Sequence, residues 1–284
     1  MRFTKMHGAG NDFVVQDGRN TELSWDKLAK SMCDRHFGVG ADGIILVLES
    51  EVADLRMRMF NPDGSEAEMC GNGIRCFAKY VVDRELISGE INNFKVETLA
   101  GVLPIFPSLE SGKMKSARVG MGTPRLRSSE IPVDSTQRLK VIGSQVSLAQ
   151  VSTESSTEYF IPSDDLVVDW PLVIEGMELK ITGISMGNPH AVAFVESPVN
   201  EFPIDRIGPL VEHHPMFPQR VNFEIVNILD RRQLKVRVWE RGAGLTMACG
   251  SGASAVAVAA RIHGYVDKEV EISLPGGVLS IEWD

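Results

Sequence analysis

Two cysteines stand in the same local setting. Cys70, in EMCGNGIRC (68–76), and Cys249, in MACGSGASA (247–255), each sit directly before a Gly-x-Gly turn that runs into a helical pattern. A thiol at a helix N-terminus has its thiolate favoured by the dipole and by unpaired backbone N–H groups, which brings its pKa below the ordinary ~8.5 and makes it a base as well as a nucleophile. Gly71, Gly73, Gly250 and Gly252 let the backbone approach a ligand closely, and the exposed N–H groups form an anion site that suits a carboxylate. Two such thiols facing each other across the α-carbon of one carboxylate could exchange its configuration. One removes the α-proton, the helix N-termini hold the charge that develops on the carboxylate, and the other returns a proton to the opposite face. Each preorganised donor can contribute about 3 kcal/mol, so several together can replace a cofactor's electron sink.

A single cysteine before a glycine turn would read as a small buried hydrophobe. What favours chemistry is that the arrangement occurs twice, at equivalent positions of a repeat. At an offset of about 179, FNPDGSEAEMCGNG (60–73) falls on WERGAGLTMACGSG (239–252), with Cys70 on Cys249. VETLAGVLPI falls on ISLPGGVLSI, and Asn11 pairs with Asn188, at offsets of about 176 and 177. The chain therefore reads as two copies of one unit of roughly 100 residues, separated by a Ser- and Pro-containing segment near 106–177. Metal and redox readings are disfavoured. Cys70 and Cys76 lie six apart, no C-x-x-C pair exists, and only His213 and His214 are adjacent. No metal site is expected, and Cys33 and Cys76 read as packing.

The elements that must position the thiols follow from periodicity. Ser24 is placed to N-cap a helix burying Trp25, Leu28, Ala29, Met32 and Cys33. After Cys70, the stripe Ile74, Phe77, Ala78, Val81, Val82 predicts a second helix with Arg75, Lys79 and Asp83 on its other face. Its counterpart, Ala253 to Ile262, is apolar nearly all round and must be covered on every side. Around these lie β-rich runs such as GIILVL and VRVW, and VEISLPGGVLSIEW reads as a hairpin. The expected fold is α/β of the α+β type: two pseudo-symmetric domains, each a curved, mainly antiparallel sheet around a central helix. Their bounds are set at 1–118 and 119–275, with a terminal strand at 276–284 able to return to the first.

The net charge of −9 and the absence of any basic run argue against a nucleic-acid partner and for a small molecule. No apolar stretch approaches the ~18 residues that cross a bilayer, and MRFTKMHGAGNDF lacks the apolar core of a signal peptide, so no membrane partner and a cytoplasmic location are expected. Asn11, Asn61, Asn188 and Asn222 sit beside turn-type residues or at strand starts, where local turn chemistry accounts for asparagine. Glu240 and Arg241 follow a strand, at the repeat position of Asn61 and Pro62; a neighbouring acid and base are usually a solvated surface pair, but this position shortly precedes Cys249.

The phrases KMHGAGNDFVV, RHFGVGADG, NPDGSEAEMCGNGIRC, MGNPHAV, VNFEIV, WERGAGLTMACGSGASA and the terminal PGG together closely resemble diaminopimelate epimerase, in the family's order and over almost the whole chain except about 106–180. The resemblance implies an amino-acid epimerase that interconverts LL- and meso-2,6-diaminopimelate without a cofactor, serving lysine and peptidoglycan precursor synthesis. It implies Cys70 and Cys249 as the acid/base pair and the backbone of Gly71, Asn72, Gly250 and Ser251 as the holder of the reacting carboxylate. Asn11, Asn61, Asn188, Asn222, Glu240 and Arg241 would read the distal amino-acid end, where an Arg fork suits a carboxylate. His190 and Glu240 would help tune the thiols. Gly43 departs from the Gln that many members carry, so a side-chain contact there is lost or replaced. Proline racemases and hydroxyproline epimerases share the cysteine pair, but a cyclic imino acid needs no distal reader. Phenazine-pathway isomerases lack the pair, and a non-catalytic amino-acid binder would not need it. The sequence is compatible with a homodimer.

Overall fold

The computed structural model describes residues 2–89, 92–136 and 165–284. Residues 137–164, the middle of the segment that separates the copies, lie outside the described residues. The chain divides into two units: residues up to Gly122 with Met247–Gly250, and Thr123–Thr246 with Ser251–Asp284.

In the first unit the stripe Trp25, Ala29, Met32, Cys33 is buried along helix α1 (Trp25–Cys33), with Leu28 partly so. Ser24 occupies the N-cap position but makes no side-chain cap hydrogen bond. Strands β1 (Thr4–Gly8), β2 (Asn11–Asp17), β3 (Gly43–Leu48), β4 (Leu55–Phe60), β6 (Phe94–Thr98), β7 (Gly101–Glu110) and β8 (Lys113–Val119) form one sheet in that order, and the short β5 (Glu66–Ala67) pairs with β4. Helix α2 (Gly71–Asp83) packs against β1, β2, β3, β4 and β8, so strands from both edges and from the middle of the sheet curl around it. Ile74, Phe77, Ala78, Val81 and Val82 supply its buried face, and α1 covers β3 and β4 from the other side. Coverage on both faces explains why β3 reads as a continuous apolar run and why the consecutive Phe13, Val14 and Val15 of β2 are all buried.

The second unit repeats this plan. Strands β9 (Trp170–Ile174), β10 (Met177–Ser185), β11 (Pro189–Phe194), β12 (Asn222–Asp230), β13 (Gln233–Glu240), β15 (Glu269–Leu274) and β16 (Gly277–Glu282) form a sheet in the order β16-β15-β13-β12-β11-β10-β9, with β14 (Gly244–Thr246) paired to β13. With β8 and β9 set aside, β1-β2-β3-β4-β6-β7 maps onto β10-β11-β12-β13-β15-β16. Both runs pair antiparallel, parallel, antiparallel, parallel, antiparallel. Helix α3 (Ile204–Glu212) takes the place of α1, and α4 (Gly250–Ile262) that of α2. The duplication legible in the sequence is thus a duplication of topology. Every residue from Ala248 to Ala260 is buried, as the all-apolar helix requires.

The stretch near 106–177 that separates the copies contributes part of β7 and the strands β8 and β9, which extend the sheets. One expectation needs correction. The terminal strand does not return to the first unit: Val278 and Ile281 register on Ser273 and Val270, and β16 closes a hairpin with β15 through a turn ending at Gly277, whose φ of 140° suits glycine.

Candidate functional site

Cys70 is the N-cap residue of α2, with extended backbone, and its sulfur accepts from the Gly73 N–H at 3.4 Å. The thiol is half-buried, while Cys249, immediately before α4, is buried. The helix starts that follow them touch. A Cβ built on Gly71 would lie 2.9 Å from the Gly250 Cα, and one built on Gly250 would lie 2.9 Å from the Gly71 Cα. Only hydrogen fits at either position, so the glycine after each cysteine is there for close backbone approach.

Side chains lock this arrangement. The buried Asn72 donates from Nδ2 to Asn11 Oδ1 at 2.6 Å and to the Ala248 carbonyl at 2.7 Å, while its Oδ1 accepts from Arg75 Nη2 at 2.6 Å. Arg75 also donates to the Gly71 carbonyl at 3.0 Å. Helical spacing puts Arg75 on the polar face, but it folds back three and four residues onto the first turn of α2. Burial pulls its guanidinium below the ordinary range, opposed by the neighbouring Cys70 and Cys76. Cys76 behaves as the packing residue expected: burial, reinforced by Cys70 and opposed by Arg75, pushes its thiol up to about 12. Burial likewise pushes Cys33 up to about 11.

Asn11 is held from its other end. Its Nδ2 donates to Asp42 Oδ2 at 3.1 Å, which also accepts the Asp12 N–H at 3.0 Å. Arg35 bridges Asp12 and Asp42 at 2.7 and 2.6 Å, and Lys5 reaches Asp12 at 2.6 Å. Burial raises the Asp12 carboxyl, but the bonds and charges of Arg35 and Lys5 outweigh it and leave the group well below the usual carboxylate range. Asn61 closes a turn: its Nδ2 donates to Ser65 Oγ at 3.0 Å and its N–H to the Ser65 carbonyl at 2.8 Å.

In the second unit, the fully buried His190 places Nδ1 2.7 Å from Glu224 Oε1 and Nε2 3.0 Å from Asn188 Oδ1. Asn188 Nδ2 approaches Ser251 Oγ, in the first turn of α4, at 3.4 Å. Asn222 is spent on backbone, donating to the Pro189 carbonyl at 2.8 Å and accepting the Arg241 N–H at 3.0 Å. Arg241 donates through Nη1 to the Gln219 carbonyl at 3.2 Å, and Glu240 is the last residue of β13.

The repeat also accounts for Gly43. It registers with Phe13 at the start of the β2–β3 pair, as Asn222 registers with His190 at the start of β11–β12. A Cβ at Gly43 would lie 2.8 Å from the Phe60 carbonyl, so a larger residue needs β3 and β4 to shift. Three residues passed over by sequence reasoning matter here. Glu224 was legible as an acid in the apolar strand VNFEIV, two residues from Asn222 and on its face. Arg75 was legible from its spacing, and Glu212, buried on α3, from no local signal. Among the described residues no group of three or more His, Cys, Asp or Glu could hold a metal ion, and no helix is long and apolar enough to cross a membrane.

A family model described as diaminopimelate epimerase matches residues 3–127 and 182–284. A diaminopimelate epimerase of Moorella thermoacetica is 47% identical over 285 residues, spanning 100% of this chain and 91% of its own. That of Acetivibrio thermocellus is 46% identical over the same length and coverage. Among solved structures, a hydroxyproline epimerase from Agrobacterium vitis shares the fold with a TM-score of 0.68 at 13% identity, covering 99% of this chain and 83% of that one. The chain belongs to the diaminopimelate epimerase family, and it is an amino-acid epimerase.

Proposed function

We propose that the protein interconverts LL- and meso-2,6-diaminopimelate by two-base proton transfer between Cys70 and Cys249, in the cytoplasm, on the route to lysine and peptidoglycan precursors. The observation that carries this reading is the Gly71–Gly250 backbone contact, which sets two cysteine-led helix starts against each other. In one direction, a thiolate takes the α-proton and becomes a thiol, the electron pair passes into the substrate carboxylate as an enolate, and the second thiol gives its proton to the opposite face. The thiols finish with exchanged protonation states, so the reverse reaction starts from the swapped pair. The N–H groups of Gly71, Asn72, Gly250 and Ser251 hold the carboxylate charge, and Asn72, clamped by Asn11 and Arg75, fixes the first turn of α2 that presents them. His190 and Glu240 bias the thiols, and Asn11, Asn61, Asn188, Asn222, Glu240 and Arg241 form or shape the reader of the distal amino-acid end.

Incubation with LL-diaminopimelate in heavy water is the test. The meso product should carry one α-deuterium from its first appearance, before the recovered LL substrate exchanges. Cys70→Ala and Cys249→Ala should each abolish epimerisation while the fold persists. Near-normal turnover by either variant, or product formed without deuterium, overturns the two-base reading.

A further inference from the structure

The turn that carries Glu240 and Arg241 is anchored by a buried carboxylate outside the proposed site. Glu212, the last residue of α3 and only 4% exposed, accepts the Trp239 indole N–H on Oε2 at 2.8 Å and the Gly242 backbone N–H on Oε1 at 2.9 Å. Arg220 reaches the same Oε1 at 3.5 Å. The two short bonds straddle residues 240 and 241, one on each side. One helical turn before Glu212, Gly208 provides the seat for the indole: a Cβ there would lie 2.6 Å from the ring atoms of Trp239. The helix therefore grips Trp239 by a glycine notch and by an acceptor four residues on. Asn222 adds a third point by accepting the Arg241 N–H.

We propose that Glu212 is a positioning residue for substrate recognition, holding the 239–242 turn so that Glu240 and Arg241 meet the distal amino-acid end. This rests on the reading of those two residues as distal readers. A carboxylate is the one side chain of this length that offers an acceptor to both donors at once. An amide of the same shape turns NH2 toward either the indole or the Gly242 N–H, so one anchor is lost without a change of volume. An unsatisfied buried donor is costly enough to displace the turn.

Glu212→Gln should raise KM for LL-diaminopimelate about tenfold and move the Trp239 indole N–H resonance, identified by its loss in Trp239→Phe. Loss of folded protein alone lowers the apparent kcat by reducing active enzyme and leaves KM unchanged. In an Arg241→Met background the same substitution should raise KM less than twofold further, because the residue it positions is already gone. An unchanged KM in Glu212→Gln, or a full tenfold added to Arg241→Met, overturns the proposal. If Glu212→Gln does not fold, Trp239→Phe cuts only the Oε2 anchor and should raise KM at least threefold; an unchanged KM there also overturns it. Failure of the wild-type protein to turn over diaminopimelate at all would instead sink the functional reading.

Discussion

Replacing Gly71 with Ala sets two effects of opposite sign against each other. Gly71 is the first residue of α2, where alanine is intrinsically better than glycine by up to ~1 kcal/mol. Propensity alone therefore predicts a more stable and equally active protein. The structure predicts otherwise, since the new methyl would sit 2.9 Å from the Gly250 Cα. Carbon atoms rest at roughly 3.5–4.0 Å, so the helix starts must part by roughly 0.6–1.1 Å. Overpacking of this kind costs about 1–3 kcal/mol, so the net change in stability is a loss of roughly 0–3 kcal/mol and the protein still folds. The catalytic cost is larger. The opening moves apart the residues that follow the two cysteines, and a displacement near 1 Å at a reacting centre lowers rates about 100-fold. Turnover followed by NMR as α-deuterium entry into both diastereomers, beside a thermal unfolding curve, separates the two effects. Gly250→Ala should match it, and the double variant should cost less than the sum because both methyls open the same gap. Turnover of Gly71→Ala within threefold of the parent would refute the reasoning.

Arg241→Met should raise KM for diaminopimelate with little change in stability, because the guanidinium it removes donates to an exposed loop carbonyl at Gln219; equilibrium binding of substrate to Cys70→Ala proteins with and without Arg241→Met checks it. Arg35→Gln releases Asp42 and through it the Asn11 amide, so KM should rise two- to fivefold; because Arg35 is half exposed, 0.5 M NaCl should reproduce part of that rise in the parent. The same substitution removes a cause of the lowered Asp12 carboxyl. Asp12 stabilises the fold above its unfolded pKa and loses that contribution as pH falls, so the acid unfolding midpoint should move to higher pH. Cys33 and Cys76 act at the other end. Buried thiols pushed up to about 11 and about 12 stay protonated where unfolded thiols ionise, so their contribution is complete below pH ~8.5 and is lost as pH rises toward those values. For Cys76 the span is on the order of 4 kcal/mol, and Cys76→Ala should flatten the fall of the urea midpoint between pH 9 and 11.

What the sequence made legible was local. A cap cysteine, two glycines and an apolar stripe are contiguous, so the helix starts, the α1 and α2 core faces and the fully covered α4 could be read from spacing. The repeat could be read because its turns kept their residues. The edge strands β8 and β9 could not, since among the described residues each exists in one copy and has no counterpart to align. Nor could the partners of the polar residues, which meet across sequence separations set by the sheets: Glu212 with Trp239, His190 with Glu224, Asn72 with the Ala248 carbonyl.

Those long-range bonds also divide the asparagines, which composition cannot tell apart. Asn61 closes a turn with Ser65, the role that asparagine statistics favour. Asn222 is committed to backbone at both ends, and Asn72 has both its polar atoms engaged by the protein. These two shape the site more than they can read a ligand. Asn11 and Asn188 each sit at the start of a copy's inner strand pair, and each is tied to a helix start, through Asn72 in one case and Ser251 in the other. The pseudo-symmetry therefore extends beyond the cysteines to the amides that brace them. It ends at Gly43, where the first copy has backbone contact with β4 and the second has the Asn222 side chain gripping the Arg241 turn. Under the proposed reading the alike helix starts let the copies share proton transfer, and an amide at this register braces the Arg241 turn in the second copy alone. Introducing Asn at position 43 should accordingly destabilise the first unit without creating a second reader, and a Gly43→Asn protein with parental stability and a lowered KM would contradict this division.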